Sequence, residues 1–391
     1  MIVNPSAVLN RSPVVTGVVT PVVTPVIVPG VSPSAAASVA APGRAPASRD
    51  RAPWEREAAG PASLADVMVE VEAEVAGGAA DRLRPVPTGY TPLDDVINGG
   101  LRPGDLLVIG GAAGVGKTIW SLQVARNVVC ADPQATAIYI CYEHDRSHLM
   151  SRLMCMESAE AGYKDDALTM RKIAELSMNA PAGTGLVSRL QRIPRYATLV
   201  QTMQRYATRL ILVKASGNHS NLGEVRRWVE ESLDASQGKL LVVVDYLQKI
   251  PVDHKVLEPE TEATTYLMQG LKEMAMMLRI PVIAIAASDR MGLKAMRMRL
   301  SDLRGSSALQ YEADIGLILN NKFAIISREH MIYNPSQAGE MRNWVVMTVE
   351  KNRAGRNAVD MEYLLDAAHF RMVPKGGFVR ERLVDEKVIM E

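Results

Sequence analysis

The stretch GGAAGVGKTIW at 110–120 constrains this chain more than any other feature. It follows the apolar run DLLVIG and opens a segment of helical periodicity. Within it, Gly111-Ala-Ala-Gly114-Val-Gly116-Lys117-Thr118 fits GxxxxGK[ST] without a gap. Glycines at these places let backbone amides turn inward as donors for phosphate oxygens. The helix that follows adds its dipole. Gly111, Gly114, Gly116, Lys117 and Thr118 are therefore the expected nucleotide-binding residues. Lys117 is expected to reach the β- and γ-phosphates of ATP, and the Thr118 hydroxyl to bind Mg²⁺.

From residue 86 the pattern alternates strand and helix. Strands are predicted at 105–110, 136–142, 209–215, 239–245, 280–287 and 314–320. They are short, continuously apolar and rich in Val and Ile, as in a parallel sheet covered on both faces. Helices are predicted at 117–129, 146–158, 221–234 and 262–279, and WVVMTVEKNR and VDMEYLL as paired antiparallel strands near the end. With no internal repeat and one glycine-lysine motif, the reading is a single α/β ATPase core. Asp245 ends the run KLLVVVD, at the strand edge where a carboxylate faces magnesium. Glu143 ends the neighbouring strand, YICYEHD, where it could polarise a water. On spacing alone it reads equally well as a solvated carboxylate.

The chain has 391 residues and a net charge of +1, so no global basic field draws it onto nucleic acid. Its three cysteines, Cys130, Cys141 and Cys155, form no CxxC and have no histidine at ligand spacing. This argues against a disulfide framework or zinc site and for a reducing, cytoplasmic setting. The apolar run VVTGVVTPVVTPVIVPGVSP is broken by Pro21, Pro25, Pro29 and Pro33, which exclude a membrane-spanning helix there. Residues 1–60, rich in Ala, Pro and Val, read as a disordered tail, either passive or a docking arm for a protein partner. In 61–82, Leu64, Val67, Met68, Val71 and Val75 form a helical stripe ended by Gly77 and Gly78. It packs either on its own domain or on a neighbouring subunit. The ATPase domain is expected over 83–375 and a C-terminal tail over 376–391.

Two basic runs bear on nucleic acid. Arg290, Lys294, Arg297, Arg299 and Arg304 face only Asp289 and Asp302 in a segment just past a strand end. The other run, Arg189, Arg192, Arg195, Arg205, Arg209 and Lys214, has no acid between Glu175 and Glu224. Each reads either as a phosphate-binding surface or as a solvated face. Neither has the interleaved aromatics that stack bases.

Together these segments resemble the C-terminal ATPase domain of DnaB-type replicative helicases, over roughly residues 63–373. The resemblance is carried by VPTGYTPLDDVINGGLRPGDLLVIGG, YEHDRSHLMSRLMC, VVVDYLQ, RLSDLRGSSALQYEADIGLIL and EKNR. It implies a RecA-like P-loop NTPase with a largely parallel central sheet flanked by helices and antiparallel strands at the C-terminal end. It further implies a hexameric homo-oligomer that hydrolyses ATP between subunits and acts on single-stranded DNA. Glu143 matches the catalytic glutamate, and Gln248 follows the metal-binding strand as a further nucleotide-site residue. Lys351 and Arg353 match the basic finger that reaches a neighbour's γ-phosphate. The 61–82 helix is similar to the linker helix that docks on the adjacent subunit. Two departures stand out. The family's N-terminal collar gives way to the proline-rich tail, and Ala287 stands where the family has a γ-phosphate-sensing glutamine. The 158–208 segment is longer than expected. The alternative to a motor is an ATPase that assembles or regulates a partner.

Overall fold

A computed structural model of the chain describes residues 60–79, 84–179, 183–236, 238–252, 260–288, 295–326 and 339–384. The tail expected before residue 60 lies outside them. The strands are β1 (Leu106–Gly111), β2 (Thr136–Cys141), β3 (Leu210–Lys214), β4 (Leu240–Asp245), β5 (Val282–Ile285), β6 (Ile315–Asn321), β7 (Trp344–Asn352), β8 (Val359–Asp366), β9 (Arg371–Met372) and β10 (Gly377–Phe378). The helices are α1 (Leu64–Glu74), α2 (Leu93–Val96), α3 (Lys117–Ala131), α4 (Arg146–Glu160), α5 (Met170–Met178), α6 (Leu186–Arg192), α7 (Pro194–Gln204), α8 (Leu222–Ala235), α9 (Glu260–Leu278), α10 (Ser306–Glu312) and α11 (Lys322–Ile325).

One sheet runs β10-β8-β7-β6-β1-β5-β4-β2-β3, with β9 paired to β8. The pairs from β6 to β3 are parallel, and those of β7, β8, β9 and β10 are antiparallel. The parallel strands read as unbroken apolar runs because both faces are covered. Leu107, Ile109, Tyr139, Leu241 and Val243 point to the face packed by Trp120 and Val124 of α3. Leu106, Val108, Ile138, Ile140 and Val242 point to the face packed by Val225 and Val229 of α8 and Met268 and Leu271 of α9. The period of two along each strand splits one run between two cores.

The long 158–208 segment contains α5, α6 and α7. Leu168, Ile173, Leu190, Tyr196 and Leu199 form a separate small core against Met154 and Cys155 of α4. Part of its basic run is structural. Arg209 donates through Nη1 to the carbonyls of Val129 (2.6 Å), Asp132 (2.9 Å) and Ala135 (3.0 Å), closing the turn after α3. Arg195 pairs with Asp166.

Helix α1 starts in a capping box. Asp66 N donates to Ser63 Oγ (3.2 Å) and Ser63 N donates to Asp66 Oδ2 (3.1 Å). The α-helix stops at Glu74, before the two glycines, and a π-helical turn carries the chain on to Ala79. None of its residues is buried, and Leu64 is 77% exposed. Arg279 ties it to the domain through an ion pair with Glu74 (2.9 Å). At the other end, the stretch expected as a tail from 376 joins the fold: β10 pairs with β8, and Glu381 accepts from buried Lys322 (2.8 Å). Among the described residues no helix is long and apolar enough to cross a membrane.

Candidate nucleotide site

The glycine loop leaves the end of β1 in the middle of the sheet. Gly111 has φ +149°, and a Cβ there would lie 2.5 Å from the Leu319 carbonyl of β6, so only glycine fits. Gly116 is the N-cap of α3 in the left-handed conformation (φ 105°) with no side-chain cap. The first amides of α3 are thereby left for an anion. Lys117 Nζ donates to the carbonyls of Gly111 (2.7 Å) and Ala112 (2.9 Å). Burial lowers its pKa, opposed by the charges of Asp245 and Glu143.

A cavity of about 430 Å³ opens over this loop at the C-terminal edge of the parallel strands. Its walls include Gly111, Gly114, Gly116, Lys117, Thr118, Glu143 and Asp245. Three strand ends thus bring together seven of the residues singled out from sequence. Asp245, 1% exposed, accepts from Tyr139 OH at Oδ2 (2.8 Å). Burial raises its pKa, and hydrogen bonds from Tyr139 and Thr118 pull it back. A buried carboxylate next to a hydroxyl is a hard oxygen set that suits Mg²⁺ completed by phosphate and water. The described residues hold no cluster of three or more acidic, His or Cys groups able to cage an ion alone.

Sequence reading missed a second wall. Arg152 of α4 and Phe370 line the same cavity, with the guanidinium 4.9 Å from the ring centroid. Arg152 also donates from Nε to His148 Nε2 (3.0 Å) and lies 3.0 Å through Nη2 from His144 Nε2. The two imidazoles stack at 4.7 Å. Burial, then the Arg152 charge, push the His144 pKa down to about 4. The spacing of four between His144, His148 and Arg152 was the available signal. Phe370 left none, because the fold brings it from the far end of the chain. Tyr139 likewise read as an apolar strand residue, yet it joins Ser121 Oγ (2.9 Å) to Asp245.

Other expected residues sit elsewhere. Gln248 is not on the cavity wall. Its Oε1 accepts from Ala287 N (3.0 Å) and its Nε2 donates to Arg304 O (3.1 Å). Ala287, the departure from the family's glutamine, does line the cavity. Of the basic row, Arg290 and Lys294 lie outside the described residues. Arg297 is withdrawn from it: 4% exposed, it donates through Nη2 to Asp360 Oδ1 (2.5 Å) and Thr348 Oγ1 (3.3 Å). Burying a guanidinium demands such a partner. Arg299 pairs with Glu350 (3.1 Å), and Arg304 is at the surface.

Lys351 and Arg353 are far from the cavity. β7 runs antiparallel to β6, so its end lies beside the start of β6, with Lys351 opposite Gly316. The glycine loop is at the other edge, where Gly111 lies opposite Leu319. Lys351 Nζ donates to the carbonyls of Gln310 and Tyr311, and Arg353 to Tyr311 O (2.5 Å) and Asp314 Oδ1 (3.2 Å).

Residues 85–372 match the DnaB-like helicase C terminal domain. The chain belongs to that family. Among its relatives are the replicative DNA helicase DnaB of Geobacillus stearothermophilus, 24% identical over 75% of this chain and 58% of that protein, and that of Leifsonia xyli, 29% identical over 61% and 47%. The chain thus spans about half the length of the curated relatives it matches. Two solved structures share the fold of this DnaB-like domain. One is a separately solved ATPase domain, with TM-score 0.62 and 20% identity, covering 80% of this chain and 99% of that one. The other is a DnaB-like replicative helicase described with its interactions with primase, with TM-score 0.59 and 20% identity, covering 80% and 67%.

Proposed function

We propose that this chain is an ATP-hydrolysing subunit of a ring, most simply a hexamer, that moves on single-stranded DNA in replication or repair. One observation carries the reading. The cavity gathers Lys117, Thr118, Glu143 and Asp245, while Lys351 and Arg353 end at the opposite edge of the sheet. A complete phosphoryl-transfer site then needs a second copy, whose Lys351 and Arg353 approach the open side of the cavity. The exposed stripe of α1, with Leu64, Met68 and Val71, supplies an apolar surface for the contact between subunits.

In this reading the loop amides and Lys117 would hold the β- and γ-phosphates of ATP, and Thr118 and Asp245 would hold Mg²⁺. An ion held there would supply positive charge against the phosphates. Glu143 orients the attacking water and accepts its proton. Arg152 adds positive charge on the same wall, and Phe370 gives it an apolar boundary. Arg353 of the next subunit stabilises the transferring phosphoryl group. Single-stranded DNA is held by its backbone at Arg299 and Arg304, together with Arg290 and Lys294.

A second reading, an ATPase that assembles or regulates a partner, is favoured by two observations. Arg297 and Arg299 are already paired with Asp360 and Glu350, and Ala287 offers no side-chain amide to the cavity. The deciding experiment is the ATPase rate with and without oligo-dT. Stimulation supports the motor, and an indifferent rate supports the regulator.

A further inference from the structure

Three hydrogen bonds close a ring beside the cavity. Gln248 Oε1 accepts from Ala287 N (3.0 Å). Ala287 O accepts from Arg304 N (3.0 Å), and Arg304 O accepts from Gln248 Nε2 (3.1 Å). The ring joins three segments that matter separately. Gln248 sits three residues after Asp245, on the short turn Leu247–Lys249, whose Leu247 is fully buried. Ala287 is on the cavity wall. Arg304 ends the basic segment, whose base is also pinned where Ser288 bridges Leu303.

Packing limits how this base can move. Leu303 is buried so close to β1 that a Cβ on Gly110 would lie 2.4 Å from its Cδ1. Beyond Arg304, Gly305 (φ +76°) backs onto α9, and a Cβ there would lie 2.4 Å from Thr264 Cγ2. A shift of the Asp245 turn is therefore passed to Ala287 and Arg304 through the Gln248 side chain, beside the direct Ala287–Arg304 bond and the Ser288–Leu303 bridge. The chemistry requires an amide, which presents an acceptor and a donor in one plane. A carboxylate lacks the donor, an ammonium lacks the acceptor, and a thioether cannot donate.

We propose that Gln248 is a positioning residue that ties the state of the nucleotide cavity to the Arg299–Arg304 segment, so that the bound nucleotide sets the grip on single-stranded nucleic acid. This rests on the reading of the cavity as an ATP site and of that segment as a nucleic-acid contact. The full chain is loaded with Mg²⁺ and either ADP or a non-hydrolysable ATP analogue. Hydrogen exchange is followed in peptides covering 284–288 and 300–309, and dT-oligomer affinity by fluorescence anisotropy. In the wild type both peptides respond to the nucleotide, and the affinity ratio between the two nucleotides is on the order of tenfold. Gln248→Glu keeps the acceptor for Ala287 N and loses the donor to Arg304 O. Its response persists at 284–288 and weakens at 300–309, where the Ala287–Arg304 bond remains, and the affinity ratio falls toward one. Gln248→Met breaks both of its links and weakens the response of both peptides, most at 300–309. An unchanged response at 300–309 in Gln248→Glu, or no response there in the wild type, overturns the proposal. A wild type whose exchange behaves as stated but that binds no dT oligomer refutes the nucleic-acid reading instead and leaves the link from cavity to segment standing.

Discussion

Arg353→Ala tests whether the site is shared between subunits. Arg353 N donates to Asp314 O (3.0 Å), at the start of β6, whereas the glycine loop lies opposite Leu319. At the usual rise of a strand these five residues span about 17 Å, and the two strand spacings from β7 to β1 add roughly 10 Å sideways. The guanidinium therefore cannot serve its own cavity. An arginine reaching a neighbour's transferring phosphoryl group is worth about a thousandfold or more in rate, or ~4 kcal/mol of barrier. The cost to stability is far smaller. Arg353 is 52% exposed, and Asp314 keeps its bond from Lys272 (2.6 Å), so losing the Arg353 pair costs under about 1 kcal/mol. Arg353→Ala should melt near the wild-type temperature, bind a fluorescent ATP analogue normally and lose nearly all hydrolysis. Mixing it with the equally inactive Lys117→Ala should restore activity, since some interfaces then pair an intact finger with an intact loop. Full ATPase activity in an Arg353→Ala protein would refute the reasoning. So would mixed rings that form, as shown by native mass spectrometry, yet hydrolyse nothing while wild-type subunits diluted into Lys117→Ala rings stay active.

Glu143→Gln should bind ATP with unchanged affinity and slow single-turnover hydrolysis by about a hundredfold or more, because the attacking water loses its proton acceptor. Arg297→Met should destabilise the domain by ~2 kcal/mol in urea titration, below the roughly 3–5 of a fully buried pair, because Asp360 stays 28% exposed and can be rehydrated. The His144 pKa is depressed to about 4 by burial, Arg152, His148 and Lys214 against Asp145, so the unfolded chain binds the extra proton between that value and the ordinary 6.5. That contribution to stability is complete above pH 6.5 and lost as pH falls toward 4, and His144→Asn should flatten melting temperature against pH across this window. Leu64→Asp with Val71→Asp should leave the circular dichroism unchanged, since neither side chain is buried, and shrink the particle seen by light scattering.

What was legible in the sequence was what local chemistry dictates. The glycine loop needs left-handed backbone within a few residues, and buried parallel strands spell themselves as apolar runs, so the sequence pattern alone puts Lys117 and Thr118 after the loop and Asp245 at a strand end. What was not legible depends on partners distant in the chain. Phe370 meets Arg152 only because β9 follows β8 back over the glycine loop, where Leu365 and Met372 close on Gly116. Gln248 was misplaced because its partners are backbone groups, which no side-chain pattern records. The basic residues make the point most sharply. Arg297 and Arg353 both read as cations available to phosphate, but the register of β7 against β8 separates them. That register sets Thr348 opposite Asp360, which puts an acid beneath Arg297 and takes it out of solvent. The last pair of the same ladder is Val349 with Val359, so Lys351 and Arg353 run on past it toward the open edge of the sheet. A shift of two residues in that ladder would keep the faces and move the acid away from Arg297. Which arginines of this chain stay at the surface is therefore decided by strand register rather than by the charge count of either segment.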